Sequence, residues 1–208
     1  MKVDIFENEI KEEWFNGHIA ELTKHGDLEV LEWYKPNSSI YYCRYVFDGS
    51  KLYISGDIGE AIFKFTEKAS IENISTYGVN YFHSKLSAFE DNKYSFDKNV
   101  AIEALNREIK EAYENMDHDD IEVKSHADNP RNEAILNYIE TLNELIEESQ
   151  SCYTKDNWDY EVHLRYDDLT DYNPDISEWI FEVGDVIPHR VQGYLVGLKM
   201  AFEQLNRK

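Results

Sequence analysis

The chain has 208 residues, 42% apolar and 14% aromatic, too rich for a disordered acidic chain and enough for one good-sized domain or two small ones. Acidic residues outnumber basic ones 42 to 21, giving a net charge of −21, a field that repels nucleic acid and anionic membrane and attracts basic surfaces. Two cysteines make no disulfide framework, residues 1–7 hold no signal-peptide core and no run of about 18 apolar residues occurs, so a soluble protein of a reducing cytoplasm is expected.

Ile10, Trp14, Phe15, Ile19 and Leu22 recur at helical spacing and stop before Gly26, which predicts a helix ending on that glycine. Leu28, Val30, Leu31 and Trp33 predict a strand, followed by a turn at Pro36-Asn37-Ser38. Tyr41, Cys43, Tyr45 and Phe47 alternate, Asp48-Gly49 is a hairpin signal, and Leu52 and Ile54 continue on the returning strand. Together these predict a three-stranded antiparallel meander over about residues 28–55. Asp57 and Glu60, three apart, fit a capping box at the start of a short aromatic helix over residues 61–65.

Past Asp97, read as a helix cap, Ile102, Leu105, Ile109, Tyr113 and Met116 form one apolar stripe. Asn129-Pro130 opens a second helix, with Ile135, Tyr138, Ile139, Leu142 and Leu145 inward. Trp158, Tyr160, Val162, Leu164 and Tyr166 alternate with polar residues and predict a further strand over residues 158–166, its apolar side facing the core. Asn173-Pro174 opens a short helix with Ile176, Trp179 and Ile180. The final helix spans residues 189–205, where Gly193 and Gly197 suit close packing. The fold class is therefore α+β: a three-stranded antiparallel meander packed with helices, plus an acidic helical section and the strand near 158–166. The expected division is residues 1–95 and 96–208, with one continuous domain as the alternative.

The charge is concentrated. Residues 101–188 hold 24 acidic and six basic residues, −18 of the net −21. Glu133, Glu140, Glu144, Glu147 and Glu148 fall along one face of the second helix. Neighbours at i and i+4 stand about 5–6 Å apart and repel by a few tenths of a kcal/mol per pair, a cost that a basic partner would reverse. Asp167, Asp168, Asp171, Tyr172 and Asp175 mix carboxylates with an aromatic anchor, a combination suited to a Lys/Arg-rich surface. His118, Asp119, His126 and Asp128 are potential metal ligands, but they sit in a predicted acidic connector and lack a partner motif on rigid elements. Cys43 lies on the core face of its strand, as a buried thiol would. No nucleophile elbow, phosphate loop or complete dinucleotide fingerprint is present. No catalytic residue and no cofactor is expected.

The run from Tyr41-Tyr42-Cys43-Arg44-Tyr45-Val46-Phe47-Asp48-Gly49 to Leu52-Tyr53-Ile54-Ser55-Gly56-Asp57-Ile58-Gly59-Glu60-Ala61, with Tyr81-Phe82-His83-Ser84-Lys85-Leu86 and the closing segment 194–205, resembles a family of uncharacterised proteins from tailed bacteriophages and prophages. These blocks cover about a third of the chain and carry no catalytic residues. The acidic section between them departs most from the family's pattern. The resemblance implies a phage origin and action in the cytoplasm of an infected bacterium, where an anti-CRISPR or other counter-defence role would place it.

Acidity and resemblance lead to one expectation: a non-enzymatic protein that inhibits a basic, nucleic-acid-handling bacterial protein, such as a defence nuclease or CRISPR effector, by mimicking nucleic acid. Direct binding to DNA, RNA or membrane is not expected. The alternatives are a metal-dependent hydrolase or nucleotide-binding protein using His118, Asp119, His126 and Asp128, and a phage structural or assembly protein that forms a homodimer through the final helix.

Overall fold

Buried residues alternate with more exposed ones over residues 43–48 and 51–55, and each extended run between Ile19 and Lys64 pairs with its neighbour in sequence. The computed structural model, which describes residues 2–116 and 130–207, holds a six-stranded antiparallel sheet whose strands follow chain order. They are β1 (Ile19–His25), β2 (Leu28–Tyr34), β3 (Cys43–Asp48), β4 (Lys51–Gly56), β5 (Ala61–Lys64) and β6 (Leu86–Phe89). The expected meander is the centre of this sheet, with Trp33 opposite Cys43 and Tyr45 opposite Ile54. The α+β class holds, with twice the strands that were foreseen in the meander.

Two expected helices are strands instead. The helix begun by α1 (Lys2–Glu9) and a π-helical turn (Ile10–Trp14) stops early, and residues 19–25 form β1. Gly26, with φ of 64°, makes the tight turn between His25 and Leu28 rather than closing a helix. Pairing along β2 outweighs the helical spacing of Ile19 and Leu22, because the sheet buries Ala20 and satisfies the backbone at once. Residues 61–64 are β5, with Ala61 and Phe63 buried against β4. Asp57 caps no helix; its carboxylate accepts the Tyr41 N–H at 2.8 Å. The turn before it requires glycine, since Gly56 has φ of 141° and a Cβ there would lie 2.2 Å from the Tyr42 carbonyl oxygen.

The chain divides into two compact units, residues 1–93 with 187–208, and residues 94–186. In the first, α2 (Ile71–Ser75), α3 (Val79–Ser84) and α8 (His189–Asn206) join the sheet. Helix α8 buries Val191, Tyr194, Leu195, Leu198 and Ala201 inside this unit. Its glycines admit aromatic neighbours: a Cβ on Gly197 would lie 2.7 Å from Tyr45 Oη, and one on Gly193 2.7 Å from Trp14. Tyr45 donates to the Tyr194 carbonyl at 3.0 Å. Gln204 engages the free edge of β1, accepting from the Ala20 N–H at 2.7 Å and donating to the His18 carbonyl at 3.1 Å. That edge is thereby partly closed to other strands.

The second unit comprises β7 (Ser95–Phe96), α4 (Lys98–Glu114), α5 (Pro130–Ser149), α6 (Lys155–Leu164), α7 (Tyr166–Tyr172), two 3₁₀ turns (Ile176–Glu178 and Ile180–Glu182) and β8 (Asp185–Val186). Asp97 caps α4 by accepting the Asn99 N–H at 2.8 Å. The strand expected over residues 158–166 is helical. Thr154 accepts the Asn157 N–H at 3.2 Å and starts α6, and the buried residues are Trp158 and Val162, four apart. Trp158 stacks on Phe96 and donates to the Ile180 carbonyl at 3.0 Å. Tyr160 and Leu164, expected to face the core, are 61% and 59% exposed. No helix among the described residues is long and apolar enough to cross a membrane.

Candidate functional site: an acidic groove

Helix α5 is sided by its own sequence. Ile135, Tyr138, Ile139, Leu142 and Leu145 turn inward, while Glu133, Glu140, Glu144 and Glu147 are exposed and Glu148 half-buried. Helix α7 is anchored by Leu169, which is buried, and leaves Asp167, Asp168 and Asp171 exposed. Asp168 and Asp171, three apart, share one side of α7.

The two helices border an open groove of about 360 Å³. Its α5 side carries Ala134, Asn137, Glu140, Thr141 and Glu144, and its α7 side Asp168, Asp171 and Tyr172. Four carboxylates thus face one concavity from both sides. Tyr172 packs against Tyr138 with the rings tilted at 34° and their centres 4.6 Å apart, and Tyr138 in turn donates to Glu108 at 2.9 Å. Of the partner-binding residues singled out in the sequence, the acidic Glu140, Glu144, Asp168 and Asp171 meet here with Tyr172. Glu133, Glu147, Glu148, Asp167 and Asp175 do not line the groove.

One cation sits at the groove's end. Arg165, between α6 and α7, donates through Nε to Glu144 at 2.9 Å and through Nη1 to Glu161 at 2.8 Å, and stands 3.5 Å from Glu148. Its side chain is only 16% exposed. Burial alone would lower its pKa, but hydrogen bonds to Glu161 and Glu144 outweigh that and raise it. One guanidinium against three carboxylates leaves a surplus of negative charge, so Arg165 shapes the acidic surface without cancelling it. The sequence signal was a lone arginine amid acid, and the strand reading hid that Glu161 and Arg165 are i,i+4 neighbours on a helix.

The groove's chemistry is that of an acceptor of cations. Its side chains are four carboxylates, an amide, a hydroxyl, a phenol and a methyl, with no histidine or thiol among them. Burial pushes the Cys43 thiol up to about 12 and the Cys152 thiol up as well, which keeps both protonated and unreactive. Among the described residues no group of three or more His, Cys, Asp or Glu is placed to hold a metal. His118, Asp119, His126 and Asp128 lie outside the described residues. No family model matches this chain, and no curated protein or solved structure matches it either.

Proposed function

We propose that the chain is a phage-encoded, non-enzymatic acidic protein that binds and inhibits a basic nucleic-acid-handling protein of the bacterial cytoplasm, such as a defence nuclease or CRISPR effector. The observation that supports this reading is the convergence of Glu140, Glu144, Asp168 and Asp171 on one groove from segments distant in sequence. Like charges repel at these spacings. A Lys/Arg-rich surface converts that cost into attraction and draws the partner in at a rate that falls as salt rises. The lysines and arginines so occupied are those a nucleic-acid backbone would otherwise contact.

The test is a plaque assay in bacteria carrying one defence system each, with the chain supplied from a plasmid. Phage growth should be rescued in at least one strain by the parent and lost with Glu140→Lys/Glu144→Lys and with Asp168→Lys/Asp171→Lys. Rescue equal to the parent by both reversed variants would show that the acidic surface only keeps the protein in solution.

A further inference from the structure

Helix α6 carries two apolar stripes where a surface helix needs one. Trp158 and Val162 form the buried stripe. Tyr160 and Leu164, also four apart, sit near the middle of the opposite face at 61% and 59% exposure. Tyr153, just before the N-cap, is 85% exposed, and its N–H bonds the Asn157 side chain at 3.4 Å. Scattered exposed apolar residues are ordinary, whereas a contiguous set rimmed by charge marks a contact surface. Here the rim is acidic. Asp156 precedes Tyr160 by one turn, and Arg165, next to Leu164 and only 16% exposed, is bonded to Glu144, which brings that end of the stripe beside the groove's carboxylates.

We infer that this stripe and the groove form one docking surface, and that its occupant is a basic amphipathic helix of another protein, its apolar side chains on Tyr160 and Leu164 and its Lys/Arg side chains in the groove. The inference rests on the functional reading above and adds the form of the partner. Charge complementarity selects that form. An acidic partner, or a second copy of this chain at net −21, would meet repulsion along the whole rim. A purely cationic strand would satisfy the groove and leave the tyrosines and Leu164 wet. Tyrosines at the centre of such a surface supply contact area at little entropic cost.

The probe is a synthetic 14-residue leucine/lysine peptide patterned as an amphipathic helix, with an oligolysine of equal charge as reference, both followed by fluorescence anisotropy. The parent should bind the patterned peptide more tightly than oligolysine. Tyr160→Ser/Leu164→Ser should weaken the patterned peptide by about tenfold or more and leave oligolysine unchanged. Both substitutions are on exposed positions, and an unchanged thermal melt confirms that the variant is folded.

Equal binding of the two peptides, or unaltered binding by the double variant, overturns the inference while the groove reading stands. If Glu140→Lys/Glu144→Lys leaves both peptides bound as by the parent, the groove reading fails, and with it the placement of the partner's lysines. If the parent sediments as a dimer that Tyr160→Ser/Leu164→Ser turns into a monomer, the occupant is a second copy and the inference is wrong.

Discussion

Replacing Arg165 by methionine keeps most of the volume of the side chain and removes its charge. Three contacts go with it, and they are not equal. Glu161 is 20% exposed and hydrogen-bonded at 2.8 Å, close to the buried charged case, worth roughly 1.5 kcal/mol. Glu144 and Glu148 are 55% and 45% exposed, so each falls in the surface range, about 0.3 kcal/mol apiece. The sum is about 2 kcal/mol, lost from the unit of residues 94–186, and for a unit of that size it corresponds to a Tm lower by on the order of 10 °C. Three carboxylates left without a cation repel one another, so added salt should restore part of the loss in the variant more than it helps the parent. The same substitution deepens the negative field at the groove, so an oligolysine should associate faster with the variant than with the parent. Calorimetry at low and high salt and stopped-flow binding read the two effects. A Tm within about 2 °C of the parent's at low salt would mean that Arg165 is only a solvated ion pair and organises nothing.

In the sheet unit, Gly197→Ala should cost about 1–3 kcal/mol by urea unfolding, because the new methyl would meet Tyr45 Oη and the Phe15 ring, both buried; a neutral result would mean that Gly197 does not pack closely on Tyr45 and Phe15. His18 should make the fold acid-sensitive. Burial lowers its pKa from 6.5, so below about pH 6.5 the unfolded chain binds a proton that the folded one refuses, and stability falls with pH through that window and is fully present above it. His18→Phe should flatten the difference in unfolding free energy between pH 7.5 and 5.5, and an unchanged slope would place the titration elsewhere.

The meander was legible because each of its strands pairs with its immediate neighbour, so turn residues and alternation carry the whole signal. The cap at Asp97 was legible for the same local reason, while the capping box expected at Asp57 caps no helix. Residues 19–25 were not, since Ile19 and Leu22 fit helical spacing and only the presence of β2 alongside decides for a strand. Residues 158–166 failed in a more instructive way. Apolar residues two apart read as one face of a strand or as two faces of a helix, and the N-cap at Thr154 was the overlooked arbiter. Of the acidic site, the α5 face followed from periodicity. Its meeting with Asp168 and Asp171 did not, because it depends on how Leu169 seats α7, a tertiary fact with no local mark.

The sheet unit is drawn from both sides of its neighbour in sequence, residues 1–93 and 187–208, and this sets an order of events at the ribosome. Residues 94–186 emerge complete and can close their own core at once. The strands made before them wait for α8, and until it arrives Tyr45 lacks the Tyr194 carbonyl that it bonds and the edge of β1 lacks Gln204. Throughout that interval the strands are older than residues 94–186 yet less finished, and a sheet still lacking α8 is the species a chaperone or another nascent chain would meet.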